Sequence, residues 1–255
     1  MSLARCIYRE EHGATHVEVW DEDERRSLWF DDVILQSEID LRRPDVLPNP
    51  VNQAMLAHLM FDRPQQQVLL AGCGGGAIAR WFNVRSPSTR GVAIELSATV
   101  ARLAHEYFDF PPPGGSWRLE VADVRDYLAE DEDRYDFILV DLEQDQHSPD
   151  WLTGETFLGA CRARLNPDGC LLVNLILDDT PAISAALFRI RQVFGDETLL
   201  LQLADHDNLL VLAYNDGVPP LPQSTQLRAA GSRWGLDFES MIPLITRIAP
   251  GRSPA

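Results

Sequence analysis

A cluster of glycines is the feature of this chain whose chemistry is easiest to interpret. It lies in residues 68–77 (VLLAGCGGGA), where an apolar run enters the glycines and a helical pattern follows. Glycine lets the backbone approach a ligand closely, and a strand that leads through such a turn into a helix is typical of nucleotide-binding α/β domains. We therefore predict that Gly72, Gly74 and Gly76 contact an adenosine-containing molecule.

Acidic residues stand at or just after the ends of three later apolar runs. Glu95 ends residues 91–95, about 20 residues beyond the glycines, where a carboxylate can accept the ribose hydroxyls. Asp123 follows residues 117–121 and could accept from the adenine amino group or cap a helix. Asp141 ends residues 137–141. Because open α/β sheets bind ligands at the carboxyl ends of their strands, we predict that Asp141 is a base or an ammonium-binding group.

A strongly acidic loop follows Asp141. Residues 143–150 carry three more acids and His147. A histidine titrates near neutrality, so His147 could shuttle protons, and the alternative is a solvent-exposed loop histidine without a chemical role.

The elements that must position these residues alternate between strand and helix from residue 68 onward. Such alternation predicts an α/β fold with a doubly wound, mostly parallel sheet, here of seven strands. Its last two strands, 198–203 and 208–214, are separated by a hairpin-length loop, which favours the class I methyltransferase architecture. We predict a small β-hairpin domain over 1–47, a Rossmann-like domain over 48–218 and an extension over 219–255 that is weakly helical around 234–248. The apolar spacing of residues 52–61 also predicts a helix.

Composition narrows the class of protein. The formal net charge of −17 repels nucleic acid and attracts small cations, although solubility alone would also explain it. No apolar run is long enough to span a membrane, and the N-terminus has no signal-peptide pattern. The four cysteines lack CxxC spacing, which favours reduced thiols in the cytoplasm. The N-terminal hairpin and its aromatic-rich strands could support a homodimer.

The chain resembles the spermidine synthase (polyamine aminopropyltransferase) family, closely over residues 36–174 and loosely over 5–214. Gln36 stands where the family's N-terminal β-domain ends in a glutamine. Residues 134–141 (RYDFILVD) and 161–174 (CRARLNPDGCLLVN) are the nearest matches, although methyltransferases share the Leu-x-Pro-x-Gly of the second block.

The resemblance implies a donor of the S-adenosylmethionine type, decarboxylated in this family, and a polyamine as acceptor, with no metal. It implies adenosine contacts from Gln36, Glu95, Asp123 and the adjoining Val124. It also implies that Asp141 accepts the proton of the attacking amine.

The chain departs from the family where the donor tail and the polyamine bind. Gly75 replaces an aspartate of the glycine turn, and Asn52 and Ala54 replace the family's Tyr-x-Glu. Gln144 replaces a second aspartate, so we predict that Glu143, Gln144 and Asp145 contact the acceptor instead. Two alternatives follow, namely a methyltransferase that uses intact S-adenosylmethionine on a small molecule, and a nucleoside-binding paralogue without activity.

Overall fold

The computed structural model describes residues 4–12, 15–31, 33–144, 146–195 and 197–248. These residues form two compact units. Unit 1 contains residues up to Asn52 together with Gly72–Val124, and unit 2 contains Gln53–Ala71 together with the chain from Arg125 onward. The predicted domain boundaries after residues 47 and 218 come from the sequence pattern and not from contacts in the structure, so they stay predictions.

Unit 1 begins with an antiparallel sheet of four strands, β1 (Arg5–His12), β2 (Thr15–Glu22), β3 (Arg25–Phe30) and β4 (Ile34–Asp40). Alternating apolar residues, among them Val17, Val19 and Leu28, form the buried face of this sheet. The predicted hairpin is therefore the middle of a larger sheet, to which β1 and β4 add the outer strands.

The remaining elements follow in chain order. They are α1 (Pro50–Ala54), a 3-10 helix (Ala57–Met60), β5 (Gln67–Ala71), α2 (Ala77–Arg85), β6 (Arg90–Glu95), α3 (Ala98–Tyr107), β7 (Trp117–Val121), α4 (Val124–Glu130), β8 (Tyr135–Val140), a 3-10 helix (Asp150–Thr153), α5 (Glu155–Arg164), β9 (Leu165–Ile176), α6 (Thr180–Phe194), β10 (Thr198–Gln202), β11 (Asn208–Tyr214), α7 (Ser224–Trp234), α8 (Phe238–Met241), a 3-10 helix (Ile242–Leu244) and β12 (Ile245–Ile248).

Strand pairing follows the predicted α/β pattern. In unit 1, β6 and β7 pair in parallel. In unit 2, β8 pairs in parallel with both β5 and β9. Beyond β9, the strand order in unit 2 continues through β11, β10 and β12, and each of these strands pairs antiparallel with the one before it. The α/β fold with parallel strands and a C-terminal antiparallel hairpin is confirmed.

Two segments differ from the sequence-based prediction. Residues 234–248 were expected to be weakly helical, but residues 245–248 form β12, a strand of unit 2 that pairs with β10. A segment this short becomes a strand only because β10 offers it an edge. The helix expected over 52–61 is instead α1 followed by a separate 3-10 helix.

The apolar run that forms β8 is explained by its burial. Every residue of β8 is buried, as expected for a strand covered on both faces. Within the described ranges, no helix has the length and apolarity needed to cross a membrane.

Candidate active site

The glycine turn of unit 1 has the backbone conformation that its sequence predicts. Gly72, Gly74 and Gly76 have φ angles of 88°, 50° and 72°, in the region that side chains disfavour. The turn closes with a hydrogen bond from the Gly76 N–H to the Cys73 carbonyl at 2.8 Å, and α2 begins directly after it. The predicted strand–turn–helix arrangement for nucleotide binding is thus present.

Gly75 is a glycine for a different reason, which is close packing. A Cβ atom built on Gly75 would lie 2.6 Å from the Oγ of Ser37 and 3.1 Å from Cδ1 of Phe108. The hydroxyl of Ser37 therefore occupies the space into which a side chain at position 75 would extend. Any larger residue requires β4 or Phe108 to move.

The buried side chain of Arg80 holds the same turn in place. Its guanidinium is buried and donates to the carbonyl oxygens of Gly75 at 3.2 Å, Phe108 at 2.6 Å and Pro44 at 2.7 Å. Burial lowers the pKa of Arg80 to about 10, so it stays charged at neutral pH. These three contacts tie the turn to neighbouring loops of unit 1.

Glu95 lies beside the glycine turn. Its Oε2 accepts hydrogen bonds from the N–H groups of Cys73 at 3.2 Å and Gly74 at 3.4 Å. Its Oε1 accepts from the N–H of Ser97 at 2.9 Å. A carboxylate has about four acceptor positions, so Glu95 can take these bonds and still accept from ribose hydroxyls.

The other predicted adenosine contacts also belong to unit 1. The main chain of Gln36 packs on the turn, since its backbone carbonyl oxygen would lie 3.6 Å from a Cβ atom on Gly74. The ends of β6 and β7 are adjacent, because the N–H of Ala122 donates to the carbonyl of Glu95 at 3.0 Å. Asp123 is half-buried just beyond this contact, and the buried Val124 begins α4.

Asp141 lies in unit 2, directly after β8. Its N–H donates to the carbonyl of Ala71 at 2.9 Å, and its Oδ1 accepts from Nδ2 of Asn174 at 2.8 Å. Burial raises the pKa of Asp141, and the hydrogen bond from Asn174 partly opposes that rise. A carboxylate with a raised pKa is a stronger proton acceptor than one in water.

The acidic loop after Asp141 is attached to the end of β9. The N–H of Ser148 donates to the carbonyl of Ile176 at 2.9 Å, and the N–H of Ile176 donates to the Ser148 hydroxyl at 2.8 Å. Gln144 and His147 exchange backbone hydrogen bonds of 2.9 and 3.0 Å. The exposed His147 pairs with Asp178, its Nε2 lying 2.7 Å from the carboxylate.

The predicted acceptor-binding residues are exposed in this loop. Glu143 and Gln144 both face solvent. Partial burial and the negative charge of Asp141 raise the pKa of Glu143. Asp145, the third residue of this prediction, lies outside the described residues.

Sequence reasoning did not find four residues that support these sites. They are Ser37, Arg80, Asn174 and Asn208, and the last donates to Asn174 Oδ1 at 3.0 Å. Asn174 had a signal, since it is a polar residue inside an apolar strand. Arg80 had a similar one, since it interrupts a run of apolar residues in α2. Ser37 had none.

The thiol chemistry of the turn is unfavourable. Cys73 is buried, and burial together with the nearby Glu95 raises the pKa of its thiol. A thiol held neutral in this way is a poor nucleophile.

Among the described residues, no group of three or more His, Cys, Asp or Glu side chains is arranged to hold a metal ion.

Comparison with known proteins identifies relatives over most of the chain. No family model matches it. A polyamine aminopropyltransferase of Chromobacterium violaceum is 30% identical over 230 residues, which cover 89% of this chain and 87% of that protein. A polyamine aminopropyltransferase of Neisseria meningitidis serogroup A is 29% identical over 249 residues, which cover 94% of each.

Solved structures agree on the fold. A probable spermidine synthase from Corynebacterium glutamicum superposes with a TM-score of 0.76 at 18% identity, over 95% of this chain and 90% of that one. A spermidine synthase in complex with the transition-state analogue AdoDATO gives 0.70 at 20% identity, over 95% of this chain and 84% of that one. Human methyltransferase-like protein 13, in complex with SAH, gives 0.65 at 20% identity, over 75% of this chain and 93% of that one.

The sequence relatives carry the assignment, because the solved structures are too distant to show more than the fold. Their names and the extent of the match establish that the chain is a transferase. The chain belongs to the polyamine aminopropyltransferase (spermidine synthase) family.

Proposed function

We propose that this transferase moves an aminopropyl group from decarboxylated S-adenosylmethionine to an amine, with a polyamine such as putrescine as acceptor. The relatives from Chromobacterium violaceum and Neisseria meningitidis that match most of the chain are polyamine aminopropyltransferases, and a spermidine synthase of similar fold binds AdoDATO, a transition-state analogue. The net charge of −17 supports the same proposal, since a negative field attracts cationic substrates.

Unit 1 binds the donor in this proposal. The glycine turn allows close approach of the nucleoside, and Glu95 accepts the ribose hydroxyls while the backbone N–H groups of the turn hold it in place. Gln36, Asp123 and Val124 complete the adenosine contacts. Their placement in the same compact unit supports this assignment.

Asp141 in unit 2 accepts the proton. The neutral amine nitrogen attacks the methylene carbon beside the sulfonium, forming a C–N bond as the C–S bond breaks. The electron pair of the C–S bond goes to sulfur, which leaves as the neutral thioether of methylthioadenosine. The nitrogen, now cationic, loses a proton to the carboxylate of Asp141. Glu143 and Gln144 hold the remaining ammonium group of the acceptor.

The environment of Asp141 is the single observation that carries this mechanism. It is a strand-end carboxylate whose pKa burial raises, and a neutral amide is the only side chain among the described residues that donates to it. Such a group can accept a proton from an amine better than a solvated acid can.

Calorimetric titration is the test of the donor. The purified protein would be titrated with S-adenosylmethionine, its decarboxylated form and methylthioadenosine. We expect the decarboxylated form to bind more tightly than S-adenosylmethionine. An amine panel, scored by methylthioadenosine release, would then identify the acceptor. No release with any amine, despite donor binding, would reject aminopropyl transfer.

One observation favours a second candidate, a methyltransferase that uses intact S-adenosylmethionine on a small molecule. Gly75 carries no acid, and the neutral hydroxyl of Ser37 fills the adjacent space. A neutral group there does not repel the carboxylate of the intact donor. Tighter binding of S-adenosylmethionine in the same titration, with methyl transfer to an added acceptor, would favour this candidate.

A homodimer acting in the cytoplasm completes the proposal. The aromatic-rich strands of the N-terminal sheet, with Trp20 in β2 and Trp29 in β3, support it. Sedimentation equilibrium at micromolar concentration tests the oligomeric state, and a monomer mass would reject the dimer.

A further inference from the structure

Asp141 is held by a chain of two asparagine amides within unit 2. Nδ2 of Asn208 donates to Oδ1 of Asn174 at 3.0 Å, and Nδ2 of Asn174 donates to Oδ1 of Asp141 at 2.8 Å. The three residues come from the start of β11, from β9 and from the loop after β8. Asn174 is only 6% exposed, whereas Asn208 is half-buried.

The carboxylate of Asp141 determines the direction of these hydrogen bonds, because it can only accept. If the amide of Asn174 were turned over, its carbonyl oxygen would face the Asp141 carboxylate, so that two acceptors would meet. At its other end, its NH2 group would face the NH2 group of Asn208, so that two donors would meet. With Asn174 in this orientation, the amide of Asn208 donates to its Oδ1 and so supports the donation from Asn174 to Asp141.

We propose that Asn174 and Asn208 are positioning residues for the proton acceptor: they hold Oδ1 of Asp141 and leave Oδ2 to take the proton from the attacking amine. Within the part of unit 2 that the structure describes, no group donates to Oδ2. The inference rests on the role given to Asp141 in the proposed function, and it adds two residues that never contact the substrate.

The same hydrogen-bonded amides control the ionisation of Asp141. Burial favours the neutral acid, and the amide of Asn174 favours the carboxylate. The negative charge of Asp141 in turn adds to the burial that raises the pKa of the neighbouring Glu143. His147 interacts with Glu143 and pairs with Asp178. Without the amide, Asp141 would hold its own proton to higher pH and could not accept another.

The test measures the ionisation of Asp141 directly, by carboxyl ¹³C NMR titration of the full chain without substrates. The Asp141 signal is assigned with D141N. The variants are N174L, which removes the donor, N208L, which removes the group that supports it, and N208Q, which keeps an amide there. We expect the midpoint of Asp141 to rise in N174L, to rise less in N208L and to stay near the wild-type value in N208Q.

Asn166 provides a matched control on the same strand. Its Nδ2 donates to Oδ1 of Asp136 at 2.7 Å, so it forms an equivalent amide–carboxylate pair near the other end of β9. N166L removes that pair and should leave the midpoint of Asp141 unchanged. If N174L does not fold, the half-buried N208L decides the question.

Kinetics supply the second readout. With decarboxylated S-adenosylmethionine and putrescine, N208L should lower kcat by roughly threefold to tenfold, leave the donor KM unchanged and move the acid limb of the kcat profile to higher pH. An unchanged midpoint in folded N174L and N208L, or an equal shift in N166L, would overturn the proposal. Absence of transfer in the wild type would instead reject the proposed function, and the NMR result would still report whether the amides control Asp141.

Discussion

Two strand-end carboxylates of this protein differ in what surrounds them. Glu95 accepts three backbone hydrogen bonds, a setting that suits a fixed hydrogen-bond acceptor. Among the described residues, Asp141 has one side-chain donor, the amide of Asn174, and burial raises the pKa of Asp141, which suits a proton acceptor. Environment thus separates the binding role proposed for Glu95 from the chemical role proposed for Asp141.

The first prediction at this scale concerns Asp141. D141N keeps the shape of the side chain but cannot accept a proton, so it should leave nucleoside binding nearly unchanged and remove turnover. Calorimetry gives the binding, and methylthioadenosine release gives the turnover. D178N, which changes an exposed acid paired with His147, serves as the control and should retain activity. Full activity in D141N would refute the assigned role.

The second prediction concerns Glu95. E95A should weaken donor binding by roughly 1–3 kcal/mol, because ribose hydroxyls and the N–H groups of the turn lose their acceptor. E95Q retains one oxygen and should lose less. Calorimetric titration with methylthioadenosine measures both variants. An affinity unchanged in E95A would reject the ribose assignment.

At the scale of elements, the glycine turn and β4 form one packed assembly in unit 1. Gln36 and Ser37 of β4 lie against Gly74 and Gly75, so the strand shapes the turn that the sequence places far from it. Arg80 of α2 adds its hydrogen bond to the Gly75 carbonyl. The space beside Gly75 is therefore filled by Ser37 and is not empty.

The third prediction tests this packing. G75A should destabilise the fold by about 1–3 kcal/mol, because its Cβ would lie 2.6 Å from Oγ and 2.9 Å from Cβ of Ser37. S37G removes both atoms, so the double variant S37G/G75A should recover part of that loss. Denaturant unfolding of the four proteins gives the coupling free energy. Strict additivity would show that Ser37 and Gly75 do not compete for space.

Sequence patterns did not predict β12, which pairs with β10. Ile245–Ile248 is too short to show an alternating pattern of its own, and Pro243 precedes it. Its extended conformation depends on hydrogen bonds to residues about fifty positions earlier, such as the pairing of Thr246 with Leu200. Local propensity carries no information about such a partner.

At the scale of the whole molecule, one buried histidine links stability to pH. His58 is fully buried in unit 2, its ring centroid lying 4.7 Å from that of Phe137. Burial lowers the pKa of His58 from 6.5 to about 4. Above pH 6.5 the histidine is neutral in both states. Between pH 6.5 and pH 4 the unfolded chain binds a proton that the folded chain does not, so the free energy of unfolding falls as the pH falls.

The fourth prediction follows from this linkage. Because of His58, the free energy of unfolding of the wild type should fall by about 1.4 kcal/mol for each unit by which the pH is lowered within that window. H58F fills the same buried space without a titratable group and should lack this component. Guanidinium unfolding at pH 7.5 and pH 5 compares the two proteins, so that the acid groups common to both cancel. Equal losses in wild type and H58F would show that His58 does not titrate as proposed.

The sequence by itself determined the alternation of strands and helices, the glycine turn and the acids at the strand ends. These features depend on the spacing of apolar residues and on the backbone freedom of glycine, both of which are local properties. Only the tertiary structure revealed Ser37 against Gly75, the placement of β12 on β10, and the hydrogen bonds that join Asn208 to Asn174 and Asn174 to Asp141. Each of these joins residues that are more than thirty positions apart, and contacts at that separation depend on how the whole chain packs.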